Sequence, residues 1–126
     1  MATWDDVRQV ALDLPGAVEE PGPTSTSWRV GSKAFCWERF LRPSERAGLP
    51  DPPGGPALGV RVADPGVAHA LAAARPDLWL VVAGYGLHPM ALLHVERASF
   101  DDVDEAITDA WLCRAPTRLR DAFLAR

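Results

Sequence analysis

The spacing of apolar residues predicts helices at both ends of this chain. Near the N-terminus four apolar residues recur at helical spacing, namely Val7, Val10, Ala11 and Leu14. Thr3 and Asp6 have the arrangement of a capping box, so we expect a first helix over residues 4–14. Towards the C-terminus, Ser99 precedes an acidic run and a second apolar stripe, and Pro116 divides that predicted helix from a final amphipathic segment.

In the middle of the chain the apolar period changes to two, which predicts strands. Apolar and polar positions alternate over residues 28–30 and 35–37, on either side of a Gly31-Ser32 turn. This arrangement is typical of a β-hairpin. Residues 58–62 alternate in the same way and predict a third strand.

Two continuous apolar runs complete the predicted sheet. Asp64-Pro65 first predicts the start of a short alanine-rich helix over residues 67–75. The runs 78–82 and 90–95 then suit central strands that are covered on both faces. The predicted order is α-β-β-β-α-β-β-α-α, in which short turns between adjacent strands favour a mainly antiparallel, five-stranded sheet packed with helices. We therefore predict an α+β fold.

Two segments rich in proline and glycine separate these elements. Residues 15–24 predict a surface connection. Residues 42–56 have no apolar period and predict a flexible loop. Because no internal repeat or change of composition divides the chain, residues 1–126 are expected to form a single domain.

Composition narrows the class of protein. Hydrophobic residues make up 48% of the chain and charged residues 24%, which is typical of a globular domain. No apolar run reaches the roughly 20 residues of a membrane-spanning helix. The N-terminus has no signal segment, so we expect a cytoplasmic protein with no membrane partner. Cys36 and Cys113 belong to no paired motif and are expected to be reduced thiols.

Five segments, taken in order, resemble the MmcQ/YjbR family of small proteins. They are the helix end Leu12–Gly16, the hairpin segment Trp28–Phe35, the turn Tyr85–Pro89, and the C-terminal segments Asp109–Trp111 and Arg114–Leu119. The resemblance implies an α+β fold like that of secretion chaperones. In that fold β-hairpins project as paired wings, which are proposed to contact DNA.

Basic residues on the predicted hairpin, the adjoining strand and the C-terminal segment are the candidate nucleic-acid contacts. With two residues of the central turn, this set is Arg29, Lys33, Arg39, Arg42, Arg61, Tyr85, His88, Arg114 and Arg118. Trp28 and Trp37 are candidate stacking residues, because hairpin positions can face outward and bases stack on exposed rings. The alternative is an ordinary solvated face whose arginines pair with carboxylates. A net charge of −4 favours this alternative.

Two other functions stay open. Most of the five tryptophans are expected in the core, but Trp28 and Trp37 also suit an aromatic-lined cleft for a planar small molecule. The apolar runs 78–82 and 90–95 suit a protein-interaction module, and the oligomeric state is open.

The sequence contains no recognisable catalytic motif. Its serines lie outside a nucleophile elbow, and its glycine pairs lack the context of a phosphate-binding loop. His94 and Glu96 would project on the same side of a strand, but two ligands are fewer than a catalytic zinc site needs. We therefore expect a small, non-enzymatic binding protein with no catalytic residue, metal or cofactor.

Overall fold

The computed structural model of the chain describes residues 1–84 and 87–126. These residues form an antiparallel sheet of six strands: β1 (Ala17–Pro21), β2 (Thr26–Val30), β3 (Lys33–Arg39), β4 (Ala57–Arg61), β5 (Trp79–Leu80) and β6 (Met90–Leu93). Their spatial order is β1-β2-β3-β4-β6-β5. The helices in the described ranges are α1 (Trp4–Asp13), α2 (Pro43–Ala47), α3 (Pro65–Ala74), α4 (Phe100–Arg114) and α5 (Thr117–Ala125). The predicted α+β class with an antiparallel sheet is confirmed.

The longer helices begin where their caps predict. Thr3 accepts a hydrogen bond from the Asp6 amide at 3.2 Å, and the Asp6 carboxylate accepts one from the Thr3 amide at 2.9 Å. Ser99 and Asp102 repeat this capping box at the start of α4, with distances of 3.1 and 2.9 Å. Pro116 lies between the end of α4 and the start of α5, as its missing amide and fixed φ require.

The main core lies between one face of the sheet and the helices. Helix α4 crosses β3 and β4, α1 packs on α4 and β1, and α3 packs on β5 and β6. Trp111 of α4 is fully buried, and its indole nitrogen donates to the Pro15 carbonyl at 3.0 Å, which joins α4 to the end of α1. A β-bulge opposite Trp28 places both Phe35 and Cys36 in this core.

Residues 15–24, predicted as a surface connection, contain strand β1. This strand pairs antiparallel with β2 along its full length. Its sequence signal is weak because it is an edge strand with no fully buried side chain and a proline at its end. Glu19 anchors it by accepting hydrogen bonds from the Trp28 indole at 3.1 Å and from Arg8 at 2.8 Å. The prediction of five strands therefore missed one edge strand.

The apolar run 78–82 forms an edge strand rather than a central one. Only Trp79 and Leu80 pair with β6, at the end of the sheet. Trp79 packs into the main core, whereas Leu80 packs with Ala57 and Leu92 in a smaller cluster on the opposite face. Trp79 and Leu80 are thus covered on opposite faces of the sheet, but Val81 is exposed, so the prediction of a central strand over 78–82 is corrected.

The segment 42–56, predicted as a flexible loop, contains helix α2. Glu45 of this helix is buried and accepts hydrogen bonds from both terminal nitrogens of Arg39, at 3.0 and 2.9 Å. It also accepts one from the Arg42 amide at 2.8 Å. A buried carboxylate held by three donors gives this part of the segment a defined position.

The rest of the segment is bonded to the turn that follows β6. Asp51 pairs with Arg97, and the Gly54 amide donates to the Glu96 carboxylate at 3.2 Å. These partners lie more than 40 positions away along the sequence, so local composition does not reveal them. The prediction that residues 42–56 form a flexible loop is therefore wrong for helix α2 and for the bonded residues Asp51 and Gly54.

Arg39→Ala is expected to destabilise the fold in a pH-dependent way. The Arg39 hydrogen bonds lower the pKa of Glu45. A carboxyl group with a lowered folded-state pKa stabilises the fold above its ordinary pKa, and this contribution is lost as the pH falls through the lowered value. We expect urea unfolding to show a loss of about 2 kcal/mol at pH 7 and a clearly smaller loss near pH 2.5. Arg118→Ala, which removes an exposed arginine that makes no ion pair among the described residues, is the matched control. Equal losses at the two pH values would contradict this account of the pair.

Candidate functional site

A largely apolar groove of about 460 Å³ lies between α3, α4 and the adjoining ends of β4 and β5. Its apolar walls comprise Val60, Val62, Ala63, Val67, Leu71, Leu78, Trp79, Ala106 and Leu112. A volume of this size is typical of sites that hold small organic molecules. We call it the α3–α4 groove.

Small side chains keep the α3–α4 groove open. Helix α3 is mostly alanine and contributes only Val67 and Leu71 to the wall. On α4, Ala106 lines the groove where a larger side chain would fill it. Asp102, Ala106 and Asp109 recur at spacings of three and four, so they share one face of α4.

The charged residues that line the groove are Arg61, Arg75, Asp102, Glu105 and Asp109. Arg75 donates to Asp77 at 3.2 Å and also interacts electrostatically with Asp102. Arg61 lies close enough to Cys113 to interact electrostatically with it. Asp109, on the α4 wall, has a pKa raised above the usual aspartate range by burial.

The two cysteines are in their thiol forms at neutral pH. Burial raises the pKa of Cys36, which is in the main core, and it also raises the pKa of Cys113. Because the thiolate is the reactive form, neither environment activates its sulfur as a nucleophile.

The predicted nucleic-acid residues divide into separate groups. Arg39, Arg42 and His88 line a smaller groove of about 240 Å³ together with Glu45. Arg39 is already bonded there to the buried Glu45 carboxylate. Tyr85, predicted to act beside them, lies outside the described residues.

A second group surrounds the β2–β3 turn. Arg29 donates to the Ser32 carbonyl at 2.5 Å and lies 3.4 Å from the Glu20 carboxylate. Lys33 follows the turn and is exposed.

The start of α5 brings the C-terminal cations towards this turn. A Cβ added at Gly31 would lie 3.7 Å from the Pro116 ring. Arg114 and Arg118 flank that proline, two positions to either side. Arg114 also lies near Arg61, because the two guanidinium groups interact electrostatically.

The two candidate stacking tryptophans have different environments. Trp28 is only 3% exposed and its indole donates to Glu19, so the prediction that it faces outward is wrong. Trp28 lies on the same face of β2 as the buried Val30, and this face is the one covered by the helices. Trp37 is half-buried, and its indole occupies the space over Gly59 on the neighbouring strand.

His94 and Glu96 do not project together from a strand. Strand β6 ends at Leu93, and His94 is 4% exposed with neither ring nitrogen hydrogen-bonded within the described part of the chain. Glu96 is exposed and binds the Gly54 amide. Among residues 1–84 and 87–126 no group of three histidine, cysteine or acidic side chains is placed to hold a metal ion.

Two further observations concern the membrane and protein-partner hypotheses. No helix in the described ranges has the length and apolar character needed to cross a bilayer. Ala91, Leu92 and Leu93, from one of the apolar runs proposed for a protein interface, are at most 1% exposed within the chain itself.

Sequence reasoning missed the groove residues on α3 and α4. The available signal was a helix of small residues, but such a helix is equally consistent with close packing and with an open space beside it. The distance between α3 and α4 distinguishes these two cases, and that distance depends on the tertiary structure.

Comparison with known proteins places the chain among relatives without an assigned function. It is 41% identical over 129 residues to the uncharacterized protein Rv2570 of Mycobacterium tuberculosis, a match that covers 99% of this chain and 98% of the relative. The uncharacterized protein Mb2600 of Mycobacterium bovis matches to the same extent. The chain belongs to the family of these proteins. No family model matches it.

A solved structure shares the fold of this Rv2570 family member. Deinococcus radiodurans protein DR2400, a DUF419 domain, superposes on this chain with a TM-score of 0.62 and 18% sequence identity. The match covers 89% of this chain and 78% of DR2400. At this identity the likeness concerns the α+β fold alone.

Gly59→Ala is expected to displace the Trp37 ring from the sheet. A Cβ at Gly59 would overlap the Trp37 indole, so the substitution should cost about 1–3 kcal/mol in urea unfolding, the range of overpacking. Gly55→Ala is the matched control, since nothing lies within 4 Å of its added Cβ. In a Trp37→Ala background the cost of Gly59→Ala should largely disappear. A full cost in that background would show that the indole is not the obstacle.

Proposed function

We propose that this protein is a non-enzymatic binding protein that takes the apolar body of a small molecule into the α3–α4 groove. The observation that supports this function is the groove itself, a mainly apolar space of about 460 Å³. Trp79 forms part of its wall, which suits a planar or aromatic ligand.

The balance of charges favours this function over a broad nucleic-acid surface. Arg29 and Arg39, two of the predicted phosphate contacts, already have carboxylate partners in Glu20 and Glu45. The net charge is −4, whereas non-specific affinity for nucleic acid depends on unpaired cations.

The groove is large enough for useful affinity. Removing roughly 250 Å² of apolar ligand surface from water is worth about 6 kcal/mol. The loss of the ligand's translational and rotational freedom offsets part of this gain, so the net affinity is weaker than the buried area alone implies.

Binding of the neutral fluorescent probe N-phenyl-1-naphthylamine tests the proposal. We expect saturable enhancement of its fluorescence, and at least a tenfold weaker affinity for Ala106→Leu, because leucine fills the groove. Ala73→Leu, the same change at an exposed α3 position outside the groove, is the matched control and should bind as the wild type does.

Val67→Phe narrows the groove from its more exposed wall and serves as a second variant if Ala106→Leu unfolds. Thermal unfolding of each variant checks the fold. The proposed site would be refuted if the wild type did not bind the probe, or if both groove variants bound it as tightly as the wild type does.

We also propose membership of the MmcQ/YjbR family and, as a second function, DNA binding near the β2–β3 turn. Lys33 and Arg118 support it, because both are exposed and neither makes an ion pair among the described residues. Pro116, the residue before α5, lies close to Gly31, so α5 begins beside this turn. The cations would contact phosphates without reading sequence.

Fluorescence anisotropy with a short DNA duplex at low salt tests this second function. We expect affinity to fall steeply with salt, and Lys33→Gln and Arg118→Gln each to reduce the slope of log K against log salt by about one. Arg8→Gln, a cation of α1 that pairs with Glu19, is the control and should leave the slope unchanged. No binding at about 20 mM salt would rule the function out.

A further inference from the structure

A second cavity, of about 230 Å³, lies at the β5 edge of the sheet, between that strand, the end of α3 and the segment 48–51. Its walls are mainly apolar and include Leu49, Trp79 and Val81. His94 also lines it, and we call it the His94 pocket. Trp79 is the one residue that this pocket shares with the α3–α4 groove in the described part of the chain, so the two cavities are separate.

The backbone around His94 directs its side chain away from the main core. Leu93 and Val95, on either side of it in the sequence, are both buried in that core. His94 itself is extended, and successive side chains of an extended backbone alternate between the two faces. Leu49 lies on the opposite face, where it packs against the cluster that contains Leu92. The His94 side chain is therefore on the face that the segment 48–51 covers.

The His94 imidazole is buried without a partner. It is 4% exposed, and neither ring nitrogen makes a hydrogen bond with a described residue. A neutral imidazole has one N–H donor and one acceptor nitrogen. A buried polar group without a partner is destabilising, because it has lost its hydrogen bonds to water. An apolar side chain would avoid this cost, so packing alone does not explain a histidine at this position.

Ordered water is the ordinary partner of such a group. A buried water usually makes about three hydrogen bonds, however, and the apolar walls of this pocket offer it few beyond His94. A larger molecule can bond to the imidazole through one polar group and cover the apolar walls with the rest of its surface.

The charged residues that line the pocket already have partners. Arg97 pairs with Asp51, and both of these residues line it. Asp77 accepts a hydrogen bond from Arg75 at 3.2 Å. A charged ligand would have to compete with these two ion pairs, whereas an uncharged ligand would leave them intact.

We propose that the His94 pocket is a second binding site, for a small uncharged molecule whose hydroxyl or amide group hydrogen-bonds to the His94 imidazole. The inference does not depend on the function proposed for the α3–α4 groove. A hydroxyl suits either ring nitrogen, because it both donates and accepts. The pocket has half the volume of the groove, which favours a ligand with a single ring over a larger one.

Benzyl alcohol and toluene test the proposal, because toluene is the same molecule without the hydroxyl. The amide signals of Leu49 and Val81 in a ¹H–¹⁵N spectrum report occupation of this pocket, since neither residue lines the α3–α4 groove. We expect benzyl alcohol to shift both signals saturably at millimolar concentration. Its binding should also move the ring-nitrogen signals of His94.

His94→Leu separates the hydrogen bond from the apolar contacts. We expect this variant to weaken benzyl alcohol relative to toluene by at least fivefold, because only the alcohol loses a partner. His69→Leu, the same change at an exposed α3 position that does not line the pocket, is the matched control and should change this ratio by less than twofold.

Two charged relatives of benzyl alcohol test the uncharged class. Benzylammonium and benzoate have the same ring, but each would have to compete with the ion pairs of Arg97 and Asp77. We expect both to bind at least fivefold more weakly than benzyl alcohol. Tighter binding of either ion would overturn the uncharged class.

The remaining outcomes separate this inference from the proposed function. If benzyl alcohol left the Leu49 and Val81 signals unchanged, the second site would be refuted, while the α3–α4 groove would be unaffected. An unchanged ratio in His94→Leu would refute the hydrogen bond to the imidazole. If that variant does not fold, the wild type decides the matter: His94 ring-nitrogen signals that stay in place at saturation would show that the imidazole has ordered water only as its partner.

Discussion

The packing of α4 across the sheet is the constraint on which the rest of the structure depends. One face of this helix presents Val103, Ile107 and Trp111 to the core, and all three are fully buried. The indole of Trp111 also needs an acceptor, which the carbonyl of Pro15 provides at the end of α1. Because that face packs on β3, β4 and α1, the adjacent face of α4 is left to line the space between α4 and α3. The α3–α4 groove lies along that second face.

The groove stays open between α3 and α4 because the side chains there are mostly small. Close packing of two helices requires complementary ridges, and an alanine-rich helix offers few side chains long enough to reach its neighbour. Leu71 and Trp79 line the space without filling it. Arg61, Arg75 and the acidic residues along α4 then give an otherwise apolar space its polarity. The packing of the core and the position of the groove thus both depend on the two faces of α4.

Sequence reasoning succeeded where a local signal decides the structure. Capping residues and apolar spacing predicted the limits of α1 and α4, since the interactions concerned lie within one turn. It failed at β1, an edge strand whose side chains are only half-buried or exposed. It also failed at Trp28, whose burial depends on which face of the hairpin the helices cover. For the site, Arg61 was among the predicted residues, but its position in the groove depends on how α4 crosses β4. The spacing of residues along the sequence does not reveal how the helix crosses the strand.

The indole signals of the five tryptophans in a ¹H–¹⁵N spectrum test the central claim most directly, because only Trp79 lines the groove. During titration with N-phenyl-1-naphthylamine, the account predicts that the Trp79 indole signal moves progressively while those of Trp28 and Trp37 stay in place. Movement of the Trp37 signal with an unchanged Trp79 signal would contradict it, and would place the ligand on the opposite face of the sheet.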